Sequence, residues 1–479
     1  MNPAGRSVSK LGELVIVIRF FRHYIPISIL ALVVLEALIL VAGLYVGASV
    51  RFDEEVPKSV GPLLPRALAF ATVMLGLMAA LGMYDGEWRS EVRSLILRVG
   101  LAFALGFVLM SLLFYLFPDS LYLGRGVFLL ALGISLASVL FIRLGFWRWA
   151  SMDVLKTRVL VLGTGSRAVK IDELLTKQGA ASGVQIVGYL PLGGIHHFVP
   201  HDQILDASEP LSTLARRLQV HEIVLAVRDR RGGAMPVAEL LDCKLRGVRV
   251  LELSTFFERE NGHLQLDSLN ASWMILGDGF SQGILRDTVK RMFDVIMSLI
   301  LLSVSLPIMA ITALAIKLES PGPVFYRQER VGQHGRPFTI LKFRSMRVDA
   351  EPDGTPRWAQ ANDDRTTRVG RFIRKTRIDE LPQTFNVFMG DMSFVGPRPE
   401  RPYFVADLNQ QIPYYGVRNT IKPGITGWAQ VRHEYGASVD DAIEKLQYDL
   451  YYVKNHSLFL DLMILFQTVQ VVLWGKGAR

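Results

Sequence analysis

The residues best suited to chemistry are two adjacent acids, Asp379 and Glu380, which follow a basic run at 365–377 and precede Arg398 in a Gly-Pro-Arg-Pro loop. Paired carboxylates can hold a divalent cation or attack phosphorus. The planar fork of arginine suits a diphosphate, and flanking prolines stiffen the loop that presents it. An apolar segment at 293–318 lies upstream. The combination predicts phosphate chemistry at a membrane surface.

Asp379 also has a purely structural interpretation. It precedes a predicted helix, ELPQTFNVFMG, in which Leu381, Phe385 and Phe388 share one face, and aspartate is a favoured N-cap. Capping explains one acid but not an adjacent pair beside so many cations. A helix N-terminus also binds phosphate and lowers the pKa of a carboxylate. We therefore expect Asp379 to be an ionised nucleophile at the start of this helix.

Composition indicates a membrane protein. Of 479 residues, 50% are hydrophobic and 20% charged, and the mean hydropathy is +0.30, too apolar for an ordinary soluble protein. The net charge of +9 favours lipid headgroups or phosphorylated substrates over nucleic acid as partners. The basic run at 365–377 has two interpretations that the sequence leaves open, headgroup binding and a part in the active site. The single cysteine, Cys243, excludes an intrachain disulfide.

Apolar windows long enough to cross a bilayer, about 20 residues each, occur early in the chain, at 27–50, 63–84, 95–117 and 126–147. Basic residues flank the first window on its N-terminal side and the fourth on its C-terminal side, so the positive-inside rule places both ends in the cytoplasm. We predict a four-helix transmembrane bundle over 1–150. Glu36 would be costly against lipid, so we expect it to face the interior of the bundle.

The next segment, 151–275, has the pattern of a soluble α/β domain. An apolar strand ends in Gly163, Gly165 and Ala168, spaced as in a Rossmann turn. No acidic residue stands after the second strand, at 184–190, to bind a ribose, and tight glycine turns also occur in domains that bind nothing. The sequence therefore leaves both a cofactor site and a structural or regulatory domain open.

Residues 293–318 form a fifth apolar stretch, which we expect to enter the membrane and return on the same side. We expect a break between two helices at Ser305 and Pro307, near its centre, because proline removes a backbone donor and kinks a helix. Both flanks are basic, so a crossing would place one basic cluster on the wrong face. A kinked fifth span is the alternative. The stretch 458–474 is apolar but carries polar residues, which favours an interfacial amphipathic helix.

From about residue 286 to the C-terminus, the sequence resembles the bacterial polyprenyl-phosphate glycosylphosphotransferases. The resemblance rests on four motifs in the order of that family: KFRSM (342–346), RKTRIDELPQ (374–383), GDMSFVGPRP (390–399) and KPGITGWAQV (422–431). The apolar windows and the Rossmann-like segment match the large members, with some similarity to the exosortase-associated subgroup. The implied architecture adds to the bundle and the Rossmann-like domain an α/β catalytic domain at 286–479, anchored by the re-entrant helix.

The resemblance implies a two-step reaction. Asp379 would attack the β-phosphate of a UDP-sugar and expel UMP, and undecaprenyl phosphate would then take the phosphosugar. Glu380 would assist through Mg²⁺, which both acids would hold, or as a base. Arg398 would bind donor phosphates, with Lys342 and Arg344 as further candidates. The implied setting is the bacterial inner membrane, with the catalytic domain on the cytoplasmic face and a homodimer as in other large members.

Two other functions stay open on the sequence. One is a membrane-anchored nucleotide-sugar dehydratase or epimerase that uses the turn at 163–168, although no Tyr-x-x-x-Lys motif accompanies it. The other is a non-enzymatic organiser of polysaccharide assembly, which would release no UMP. The transferred sugar is not legible. Trp428 and the segment 401–418 are candidates for sugar choice, with a packed core position as the alternative for Trp428.

Overall fold

A computed structural model describes residues 17–20, 23–52, 62–84, 92–150, 156–178, 183–192, 198–227, 235–266, 279–280, 283–347, 365–433 and 438–474. The chain divides into two compact units. The first comprises Met1–Phe20 with Tyr24–Phe256, and the second Phe21–His23 with Phe257–Arg479.

The first elements along the chain are two short strands, β1 (Val17–Phe20) and β2 (His23–Pro26), and long apolar helices of the first unit follow. These are α1 (Ile27–Phe52), α2 (Leu63–Ala80), α3 (Val92–Leu116) and α4 (Arg125–Ala150). They match the four predicted windows, and each is long and apolar enough to cross a membrane. Leu44, Phe70 and Phe128 pack inside, while Leu97 and Phe141 are more than 70% exposed on the outside. Helices that are apolar on every side suit a lipid environment.

Glu36 of α1 faces the interior of this helix group, as expected, and forms a buried ion pair with Arg143 of α4. The Nε–Oε1 distance is 2.6 Å and the Nη2–Oε2 distance is 2.9 Å. Tyr84 donates a hydrogen bond to the same carboxylate at 2.7 Å. Pairing removes the cost of two isolated charges among apolar helices. The pair therefore fixes α1 against α4.

The α/β pattern of the first unit forms a four-stranded parallel sheet in the order β4-β3-β5-β6. Its strands are β3 (Thr157–Leu162), β4 (Val184–Leu190), β5 (Glu222–Leu225) and β6 (Arg249–Glu252), and its helices are α5 (Ser166–Gln178), α6 (Leu211–Arg217) and α7 (Val237–Leu245). Helix α8 (Leu253–Asn261) begins in the first unit and belongs to the second from Phe257 onward. Gly163 after β3 has φ +115°, and a Cβ there would lie 3.1 Å from the Ala226 carbonyl oxygen. Glycine is needed at this turn because the backbones approach so closely.

The second unit contains α9 (Ile284–Glu319), one continuous helix with Pro307 inside it. The expected division into two helices at Ser305 and Pro307 is therefore absent. A proline deletes one backbone hydrogen bond, and an apolar helix in a bilayer has no water to satisfy further broken ones, so the turns on either side persist. At 36 residues, α9 is about 54 Å long. It is the fifth helix of membrane-crossing length among the described residues, and a re-entrant path stays a prediction.

The rest of the second unit surrounds a core that includes Val387, Val395, Trp428 and Tyr451. Its strands are β7 (Phe325–Val331) and β8 (Pro337–Phe343), an antiparallel hairpin, and β9 (Ser393–Val395) and β10 (Gly424–Thr426), a parallel pair. Its helices are α10 (Arg368–Lys375), α11 (Gln383–Met389), α12 (Pro402–Gln411), α13 (Trp428–Arg432), α14 (Val439–Asn455) and α15 (Leu458–Trp474).

Helix α15 is amphipathic, but in the inverse sense to a soluble surface helix. Asp461 is 1% exposed, and its carboxylate pairs with Lys290 of α9 at 2.6 Å. The outward residues include Leu462 and Val469, which are 39% and 45% exposed. The polar residues that interrupt the apolar run therefore face the protein, and the exposed face is apolar, as an interfacial helix requires.

Candidate active site

Asp379 lies in a tight turn rather than at the start of a helix. A single 3₁₀ turn, Ile378–Glu380, follows α10, and Arg377 before it has a left-handed φ of +59°. Helix α11 begins only at Gln383, with Pro382 at its cap position. Proline has no backbone N–H and is favoured at the start of a helix, which agrees with a helix that begins after Pro382, so the structural interpretation of Asp379 as the N-cap of this helix is wrong. A non-glycine residue with positive φ costs free energy, and such residues cluster at functional sites.

Glu380 is the point at which three cations from separate segments converge. Lys342 of β8 lies 3.0 Å from Oε1, and Arg377 and Arg398 each lie 3.7 Å from the same atom. Burial alone would raise the pKa of Glu380, but Lys342, Arg398 and Arg377 outweigh it and lower the pKa to about 2. The structure thus brings together Asp379, Glu380 and two of the predicted cations.

Asp379 has the opposite electrostatic setting. Its side chain is 8% exposed, and its Oδ1 atom accepts no hydrogen bond from any described residue. Burial and the neighbouring Glu380 charge raise the pKa of Asp379 to about 6, although Lys342 and Arg377 oppose this. The expected depression of its pKa by a helix N-terminus is therefore wrong. A poorly solvated carboxylate oxygen without a partner is well suited to nucleophilic attack.

The acids also fit a magnesium ion. Mg²⁺ typically binds one or two carboxylates and completes its shell with water and substrate phosphates. Asp379 and Glu380 are adjacent, and the unpartnered Oδ1 is a buried acceptor. Across the described ranges, no cluster of three or more His, Cys, Asp or Glu side chains is placed to hold a metal. The site therefore suits an ion shared with a phosphorylated substrate rather than an all-protein cage.

Arg344 is not part of this convergence. Its guanidinium donates to the Pro321 carbonyl at 2.8 Å and to the Ser320 carbonyl at 2.9 Å, and it is 6% exposed. It holds the turn that follows α9, so its contacts assign it to the scaffold rather than to donor phosphates. Ser305 is likewise buried within α9, with its hydroxyl 3.6 Å from the sulfur of Met309.

Two residues change status on the structure. Arg377 was grouped with the basic run in the sequence, but its place two residues before Asp379 brings it to Glu380. Trp428 is a core residue, since it is 1% exposed and its Nε1 donates to the Gly262 carbonyl at 2.6 Å.

Part of the 401–418 segment lines a cavity of about 420 Å³, with Asn409 and Asn419 among its polar groups.

Comparison with known proteins places this site in a family. The profile of the family described as "Bacterial sugar transferase" matches residues 285–475. Over 240 residues, the chain is 45% identical to the UDP-N-acetylgalactosamine-undecaprenyl-phosphate N-acetylgalactosaminephosphotransferase of Aeromonas hydrophila, a match that covers 50% of this chain and 56% of the relative. Over 262 residues, it is 37% identical to the UDP-glucose:undecaprenyl-phosphate glucose-1-phosphate transferase of Escherichia coli K12, which covers 53% and 55%.

A third relative is covered more fully. The UDP-glucose:undecaprenyl-phosphate glucose-1-phosphate transferase of Caulobacter vibrioides is 44% identical over 195 residues, 40% of this chain and 72% of the relative. The chain spans about half the length of the first two relatives. The protein belongs to the bacterial sugar transferase family, and the expected resemblance is confirmed.

Proposed function

We propose that this protein transfers a sugar-1-phosphate from a UDP-sugar to undecaprenyl phosphate and releases UMP. The observation that carries the proposal is the convergence of Lys342, Arg377 and Arg398 on Glu380, beside the buried Asp379. Three cations beside the two carboxylates Asp379 and Glu380 give this group of side chains a net positive charge, which suits a diphosphate. The names of the relatives, undecaprenyl-phosphate sugar phosphotransferases, agree with this chemistry.

The proposed first step forms a bond between a carboxylate oxygen of Asp379 and the β-phosphorus of the donor. The bond from that phosphorus to the bridging oxygen breaks, and UMP leaves with the electron pair. In the second step, an oxygen of the lipid phosphate attacks the same phosphorus and displaces Asp379, which gives a lipid diphosphate sugar. The unpartnered Oδ1 supports Asp379 as the nucleophile. Arg398 and Lys342 bind donor phosphates, and Arg377 joins them.

Mg²⁺ held by Asp379 and Glu380 would neutralise phosphate charge as the leaving group departs. Glu380, kept ionised by its cations, is suited to hold the ion or to act as a base toward the lipid phosphate. The repulsion between an anionic nucleophile and an anionic donor is the main barrier that these residues must lower.

The proposed location is the bacterial inner membrane, with the catalytic unit on the cytoplasmic face, where nucleotide sugars are available. Apolar helices and basic flanks support this. The product is the first membrane intermediate of an exopolysaccharide repeat unit. The segment 401–418 is the proposed contributor to sugar choice, and the homodimer is proposed from the family resemblance.

The experiment that tests this function measures UMP release from a panel of UDP-sugars, with undecaprenyl phosphate and Mg²⁺ present. Release with one sugar, lost in Asp379→Asn, would support the reaction and identify the donor. Well-folded wild-type protein that releases no UMP across the panel would contradict it and favour a non-enzymatic organiser.

A further inference from the structure

The segment that carries Arg398 is held through its backbone carbonyl groups. Nearly every carbonyl oxygen from 395 to 400 accepts a hydrogen bond from another element of the second unit. Val395 accepts from Lys290 (3.2 Å) and Tyr452 (3.0 Å), Pro397 from the Gly424 amide (3.0 Å), Arg398 from Arg418 (2.9 Å), Pro399 from Arg330 (3.1 Å) and Glu400 from the Val331 amide (2.9 Å). The loop is thus fixed by polar contacts rather than by side-chain packing alone.

Arg418 makes the contact at the carbonyl of Arg398 itself. It is 5% exposed, and its Nη2 atom donates to that carbonyl at 2.9 Å. The same guanidinium binds Asp449 of α14, with Nε and Nη2 at 2.9 and 2.8 Å from Oδ2. Its Nη1 atom donates to the Tyr415 hydroxyl at 3.2 Å. All three guanidinium nitrogens are therefore directed at fixed partners.

The buried Arg418–Asp449 ion pair costs more free energy than a residue pair that served only to pack the core. Removing two charges from water costs several kcal/mol per ion before pairing, and a well-packed apolar pair often serves stability as well or better. A buried arginine can, in return, fix the plane of one peptide group. The prolines at 397 and 399 restrict the backbone on either side of Arg398, and Arg418 holds the remaining peptide plane.

We propose that Arg418 is a positioning residue that orients Arg398 for the donor diphosphate, an inference that rests on the function proposed above. With its backbone fixed in this way, Arg398 places Nη2 3.7 Å from Glu380 Oε1, beside the nucleophile. A lysine at 418 has one nitrogen and cannot serve both Asp449 and the Arg398 carbonyl in this geometry. Loss of that orientation weakens phosphate binding more than it slows chemistry.

The test is a double-mutant cycle on donor kinetics, with Arg418→Lys and Arg398→Ala separately and together. We expect Arg418→Lys to raise the KM for the UDP-sugar about tenfold with a much smaller change in kcat, since misplacement of a binding group acts on affinity. In a protein that already carries Arg398→Ala, Arg418→Lys should raise the KM for the UDP-sugar by less than about a further twofold, because Arg418 acts on the donor through Arg398. Asp449→Asn, which loosens Arg418, is the second variant if Arg418→Lys does not fold.

The matched control is Lys454→Met on the same helix. Lys454 is 5% exposed and pairs with Glu258 at 2.7 Å, so its loss also removes the cation that pairs with a buried carboxylate, to which Asn455 still donates a hydrogen bond at 2.9 Å. It should lower the Tm without raising the donor KM. The proposed role of Arg418 is wrong if Arg418→Lys raises the donor KM by the same factor with and without Arg398→Ala. It is also wrong if Lys454→Met raises the donor KM as much as Arg418→Lys does. A wild type that releases no UMP overturns the proposed function as well.

Discussion

Asp379 and Glu380 are neighbours in the chain, yet the pKa values of their carboxyl groups are shifted in opposite directions, to about 6 and about 2. Burial raises the pKa of both carboxyl groups, but Lys342, Arg377 and Arg398 all approach Glu380 and reverse its shift. For Asp379 the negative charge of Glu380 adds to the effect of burial. Glu380 therefore stays ionised over the whole physiological pH range, whereas Asp379 changes its protonation state near pH 6. Such a difference in pKa suits acid, base or nucleophilic catalysis.

Asp379→Asn should abolish UMP release while leaving the far-UV circular dichroism spectrum unchanged. The amide keeps the shape of the side chain but cannot attack phosphorus. We expect a loss of at least about a thousandfold, as for removal of a covalent nucleophile. Asp440→Asn, an exposed change on α14, is the matched control and should retain full activity. Substantial turnover by Asp379→Asn would rule out the covalent route.

The rate of the donor step should rise with pH through an acid limb near pH 6, because only ionised Asp379 attacks. In Glu380→Gln the limb should move to lower pH, since the charge that raises the Asp379 pKa is gone. The measurement is kcat/KM for the donor between pH 4.5 and 8 at constant ionic strength. A limb that stays in place in Glu380→Gln would assign it to another group.

The two acids should have opposite effects on stability. The raised pKa of Asp379 means that its charge destabilises the fold above pH 6 and not below its ordinary value of 3.8, so Asp379→Asn should be more stable than wild type at pH 7.5. The lowered pKa of Glu380 stabilises the fold above its ordinary 4.5 and is lost only as the pH falls toward 2, so Glu380→Gln should be less stable. Each effect is about 3 kcal/mol at most.

Thermal unfolding in EDTA tests these signs, with both variants measured at pH 7.5 and pH 5. At pH 5 the gain in Asp379→Asn should shrink, while the loss in Glu380→Gln should largely remain. Shifts of the same sign for both variants at pH 7.5 would contradict the opposite pKa assignments.

Magnesium should be required for turnover, because Asp379 and Glu380 are proposed to bind it. EDTA should remove UMP release, and added Mg²⁺ should restore it. Mg²⁺ should also raise the Tm of the wild type, by mass action on the folded state, and should not do so in Glu380→Gln. An equal Tm response in that variant would place the ion elsewhere.

Cysteine labelling from one side of the membrane can show whether α9 crosses the membrane or returns to the side it entered. With Cys243 replaced by serine, single cysteines at the exposed positions Leu285 and Arg327 should both react with an impermeant thiol reagent from the cytoplasmic side, if the helix returns as predicted. Labelling from opposite sides would make α9 a fifth span, which its length of 36 residues allows.

The sequence alone indicated the candidate residues for the chemistry and the apolar segments. Side-chain types and motif spacing are properties of the sequence itself, so they suffice to select Asp379, Glu380, Lys342 and Arg398 as candidates. The long helices and the parallel strands follow from hydrophobic period and length, which are local properties. Those predictions needed no knowledge of distant contacts.

Tertiary structure decided the charge state and the duties of individual side chains. The sequence pattern indicated an aspartate at a helix N-terminus with a low pKa, and the family resemblance implied Arg344 as a candidate for donor phosphates, but burial raises that pKa, and Arg344 holds the turn after α9. Nothing local marks Arg418 as the support of Arg398, twenty residues before it. Burial, desolvation and ion pairing depend on which distant segments meet, and only the folded chain sets those distances.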